Sequence, residues 1–107
     1  MGIYRNRFAD VVESEAQLAS ELWSSGLTEA KRIETTNALV QAAIDMLHGW
    51  ARTIEENAED LSLTDMQWYV VASDQVKFAI MDLAHGEKVD SATNILFNAI
   101  RDNRKRN

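Results

Sequence analysis

Residues 61–72 read LSLTDMQWYVVA, and whether this run is strand or helix decides the fold class. Taken alone, WYVVA at 68–72 is aromatic and β-branched, the composition of a strand. The residues before it point elsewhere. Thr64-x-x-Gln67 is a capping box, in which each side chain satisfies a backbone N–H left over at a helix start. Leu63 and Trp68 stand where a hydrophobic staple would bracket that box. Downstream, Tyr69, Val76, Ile80 and Leu83 recur at helical spacing, and Gly86 suits a left-handed position just past a helix end. A helix over 65–85 is predicted, and with it an all-α chain.

Upstream lies the clearest periodicity in the protein. Ile33, Asn37, Val40, Ile44, Leu47, Ala51, Ile54, Ala58 and Leu61 step by four and three, and only Asn37 is polar. This predicts one long central helix over about 28–60, with Thr28 as N-cap and Glu29 at its positive end. Leu39, Ala43, Met46 and Trp50 form a second apolar stripe beside the first, as in a helix touched on two sides. A first helix over about 6–25 follows from Tyr4, Phe8, Val11, Val12, Leu18, Ala19, Leu22 and Trp23, with Gly26 and Leu27 as its terminal signal. A fourth, over 91–103, follows from Ala92, Ile95, Leu96, Ala99 and Ile100. Its end merges with a basic C-terminal tail, 101–107. The expected architecture is a single-domain four-helix bundle-like fold over 1–107.

Composition narrows the function classes. There is no cysteine, which excludes disulfides and thiolate metal sites, and no proline, which permits long helices. Net charge is −6; the tail RDNRKRN holds four cations against one acid, leaving the first hundred residues at −9. An acidic body is repelled by nucleic acid and by anionic membranes. Direct nucleic-acid binding and membrane association are therefore not expected. The turn around SSGLT resembles a helix-turn-helix only superficially, because TEAKRIETTN mixes acids with Lys31 and Arg32 where a recognition helix carries cations and amides. No apolar run reaches membrane-spanning length, and MGIYRNRFADVVESE has no signal-peptide h-region, so a cytoplasmic location is expected.

Two segments, AAIDMLHG at 42–49 and AIMDLAHG at 79–86, share Asp-x-x-His-Gly and contain both histidines, His48 and His85. Helical bundles that bind metal through carboxylates use Glu-x-x-His pairs, with further glutamates from the other helices. Here Asp45 and His48 fall opposite the Val40–Ile44–Leu47 face, beside Gln41 and Arg52. The fourth helix supplies no glutamate. A surface pair at His48 and a dipole-complementing His85 before Gly86 explain the same letters. With no phosphate loop, zinc-helix motif or nucleophile elbow, neither an enzymatic role nor a cofactor is expected.

What remains is binding. Val71, Phe78 and Met81 fall away from the core face of the third helix, and Met46 and Trp50 flank the seam of the second. Together they form a candidate protein-binding patch on an acidic molecule. Asn37 with Val40, Ile44 and Leu47 is a candidate oligomer seam, since a lone buried Asn can fix register. In size, acidity and helicity the chain resembles small regulatory proteins such as phage-encoded inhibitors, antiactivators, immunity proteins and secretion chaperones. That resemblance is one of profile and implies a non-enzymatic inhibitor that docks an apolar face onto a partner protein with a basic surface. It would block that partner's dimerisation or ligand site. The alternative expectation is a homodimeric, chaperone-like module assembled through the second helix.

Overall fold

The computed structural model describes residues 2–26 and 34–106, with side chains at 7–25 and 36–105. Four helices follow in order: α1 (Gly2–Gly26), α2 (Glu34–Glu56), α3 (Leu63–His85) and α4 (Val89–Arg106). No strand occurs among the described residues, so the fold is an all-α bundle. The expected terminal signals at Leu27, Thr28 and Glu29, and Ile33 on the seam, lie outside the described residues.

Residues 61–72 are helical, though the cap is not the one predicted. Ser62, extended at φ −70° and ψ 159°, is the N-cap of α3, and its hydroxyl accepts the Asp65 N–H at 3.1 Å. The apolar neighbours explain the shift. With Ser62 as N-cap, the staple positions fall on Leu61 and Met66, which both turn into the core. With Thr64 they would fall on Leu63 and Trp68, which are exposed. Asp65 in the first turn complements the positive helix end.

The long central helix is corrected at its C-terminal end. α2 stops at Glu56, and 57–60 form turns in which Asp60 and Leu61 both donate to the Asn57 carbonyl. Two local effects stop it. The run EENAED puts four carboxylates at the negative helix end with no cation in the last turn, and the Asn57 side chain competes for the Thr53 carbonyl at 3.0 Å. Among the described residues α2 is thus no longer than α3.

α1 and α2 run antiparallel. The Trp23 indole near the end of α1 donates to Asn37 near the start of α2 at 2.9 Å, and Glu13 meets His48 further along. α1 packs on α2 and α3, α4 packs on α3 and α2, α2 touches α3 more lightly, and α1 and α4 do not meet among the described residues. Both predicted stripes of α2 are buried, including Leu39, Val40, Ala43, Ile44, Met46, Leu47, Trp50 and Ile54. α1 contributes Val12, Ala16, Ala19 and Trp23, and α3 contributes Val76, Ile80 and Leu83. α4 contributes only Ala92 and Leu96 as fully buried residues; Ile95, expected on the same face, is 40% exposed.

Gly86 ends α3 as predicted. At φ 71° it lets its own N–H reach the Leu83 carbonyl and that of Glu87 reach Asp82, a Schellman closure. Two residues on, Lys88 is also left-handed, at φ 47°, where an L side chain crowds its own backbone. No helix of the described residues is long and apolar enough to cross a membrane.

Candidate functional site

The two Asp-x-x-His-Gly segments share letters and do different things. Gly86 closes α3, whereas Gly49 sits inside α2. His48 pairs with neither Asp45 nor Arg52: its Nδ1 lies 2.6 Å from Glu13 Oε1, a contact between helices. Asp45 lies along a different groove, and His85 is exposed in the last turn of α3. Among the described residues, no three His, Cys, Asp or Glu side chains come together as metal ligands would.

The five expected binding residues divide. Val71 (58% exposed) and Phe78 (49%) are on the surface, and Met81 is half-buried. Met46 and Trp50 are corrected: both are buried, because α4 covers the flank of α2 that the periodicity left open. Trp50 packs edge-on against Trp68 and Tyr69, with centroids 5.6 and 5.7 Å away, and donates to Asn103 of α4 at 2.7 Å. The expected oligomer seam is corrected too. Val40, Ile44 and Leu47 are buried against this chain's own helices, and Asn37, itself exposed, accepts the Trp23 indole N–H. The seam holds α1 to α2 and presents no free apolar face.

What the structure adds to Val71 and Phe78 are Trp68 and Ile95. Positions 68, 71, 75 and 78 lie on one side of α3 by helical spacing. Trp68 and Gln75 line a cleft of about 240 Å³ whose other wall is Ile95 and Asn98 of α4. Exposed apolar side chains thus form an interrupted strip, Phe78, Val71 and Trp68 along one side of α3 and Ile95 across the cleft from Trp68. Asp74 and Asp82 bracket Phe78 one turn to either side, and Asp102 lies at the far end of the cleft. The cation beside Phe78 is already paired. Lys77, 4.7 Å from the Phe78 ring centre, pairs with Glu15 at 2.5 Å and Asp74 at 3.2 Å. The Glu15 hydrogen bond holds its ammonium above the ordinary lysine value, against the opposing effect of burial.

Known proteins give no match. No protein-family model, no curated protein and no solved structure matches the chain.

The strip was partly legible. Val71 and Phe78 stand out because α3 has more large apolar residues than one face can bury. Trp68 was assigned to the staple and Ile95 to the core, and only the shifted cap and the narrow buried stripe of α4 release them.

Proposed function

We propose that this protein is a small, non-enzymatic binding regulator. It docks the α3–α4 strip of Trp68, Val71, Phe78 and Ile95 onto an apolar surface of a partner protein and so occludes that partner's dimerisation or ligand site. The observation that carries this reading is the group of exposed apolar side chains on one side of α3 and the facing edge of α4, with Asp74, Asp82 and Asp102 around it. Aromatic side chains at the centre of such a strip supply most of the binding free energy, while surrounding carboxylates speed encounter with a basic-edged partner. Burying the half-exposed Phe78 ring contributes about 1 kcal/mol from area alone.

The test is affinity capture from native lysate with wild type and with Val71→Asp and Phe78→Asp, whose side chains already face solvent. The expected result is one stoichiometric partner, captured less well at high salt and lost in both variants while circular dichroism shows helicity intact. Undiminished capture by both variants would overturn the assignment of this face.

A further inference from the structure

A second groove lies on the other side of α4, where α4 crosses α2. Two recesses of about 430 and 380 Å³ share Ala42, Ile100 and Arg104, so they adjoin along one groove. Its α2 wall extends from Ala38 to Thr53, about 22 Å at 1.5 Å per residue. Apolar groups from Ala42, Met46, Ile100 and the half-exposed Phe97 line it. Gly49 borders open space in it, since a Cβ built there meets nothing within 4 Å.

The charge of this groove opposes that of the molecule. On a chain of net charge −6, Arg101 and Arg104 stand along the α4 wall. Among the described residues Arg104 makes no ion pair, and Arg101 reaches only its exposed neighbour Asp102, at 3.6 Å. Among the described residues Asp45 is the single carboxylate lining the groove. A shallow trough of this length, apolar around Ala38, Ala42, Phe97 and Ile100 and mixed further along, with guanidinium groups on one wall, matches a helix with an apolar ridge and acidic flanks.

We infer that the α2–α4 groove is a second binding site, for an acidic amphipathic helical segment of another protein. The apolar ridge of that segment seats along Ala42, Phe97 and Ile100, and its carboxylates meet Arg101 and Arg104. This site uses none of the strip residues Trp68, Val71, Phe78 and Ile95 and takes a ligand of opposite charge.

The probe is a labelled helical peptide of about 15 residues, four turns, with leucines at i, i+3, i+4 and i+7 spacing and glutamates elsewhere. It is titrated with the full chain and followed by fluorescence anisotropy. The expected result is saturable binding that weakens with salt and falls about fivefold or more in Arg101→Gln/Arg104→Gln, both exposed positions. Ala42→Trp, which fills the trough from an exposed position, should abolish it, whereas Phe78→Asp should leave it unchanged. A peptide with lysine replacing glutamate should not bind. Four results would overturn the inference: no saturation up to about 1 mM, a weak-binding limit near −4 kcal/mol; equal affinity in the Arg variant; loss in Phe78→Asp; or a groove filled by a second copy, seen as a dimer that Ala42→Trp dissociates.

Discussion

The bond from Trp50 to Asn103 joins helices 53 positions apart in sequence and can be measured in isolation. Trp50 is 3% exposed, so its indole N–H depends on Asn103 as its partner. A neutral hydrogen bond contributes about 1 kcal/mol net, and leaving a buried donor unpaired costs about 1–3 kcal/mol. Asn103→Ala also exchanges a poor helix former for the best one, which returns about 0.5 kcal/mol. Its net loss should be about 0.5–2.5 kcal/mol. Trp50→Phe removes the donor and leaves a gap against Trp68 and Tyr69, and it should cost at least as much. Neither single value isolates the bond. The double-mutant cycle does, because the propensity and cavity contributions cancel, and the expected coupling is about 1–2 kcal/mol. Urea unfolding followed by circular dichroism resolves this: with a slope near 1.5 kcal/mol per molar, a loss of 1.5 kcal/mol moves the midpoint by about 1 M. A coupling under about 0.3 kcal/mol would refute the reasoning and leave α4 held by apolar contact alone.

Three further outcomes follow from local geometry. Ser62→Ala should destabilise by about 1 kcal/mol and Thr64→Ala by much less, a reversal of the pair that would contradict the N-cap assignment. Lys77→Met should cost about 1–2 kcal/mol at neutral pH, less than for a wholly buried pair, because it strands the Glu15 carboxylate. Since Glu15 raises the Lys77 pKa in the folded state, the pair stabilises fully below the unfolded value near 10.5 and is lost as pH rises through the higher folded one. Unfolding midpoints of the wild type should therefore fall more steeply above that pH than those of Lys77→Met. Lys88→Gly relieves a left-handed L-residue and should raise stability by about 0.5–1 kcal/mol, read as a higher midpoint in thermal unfolding.

Sequence periodicity located all four helices, the buried stripes of α2 and the Schellman end at Gly86, because those features depend on residues close in sequence. It misjudged what depends on helix–helix geometry. Met46 and Trp50 looked surplus because no pattern in α2 reveals that α4 crosses over them. His48 looked like a partner of Asp45 because spacing within one helix is visible and Glu13 on another is not. Arg101 and Arg104 read only as part of the basic tail, yet their neighbours across the groove belong to α2. Asn37 was correctly singled out as unusual, and its explanation is a tryptophan 14 positions earlier.

The meagre burial of α4 has a consequence for how the two faces communicate. With Ala92 and Leu96 as its fully buried residues and no contact with α1, α4 is the segment expected to open first in hydrogen exchange, ahead of global unfolding. The strip and the groove each use α4 as one wall. A ligand on either face would hold α4 down and bear the cost of ordering it, so a second ligand would arrive at a helix already clamped. Positive linkage between opposite sides of a 12.1 kDa protein could then arise without any change in mean shape.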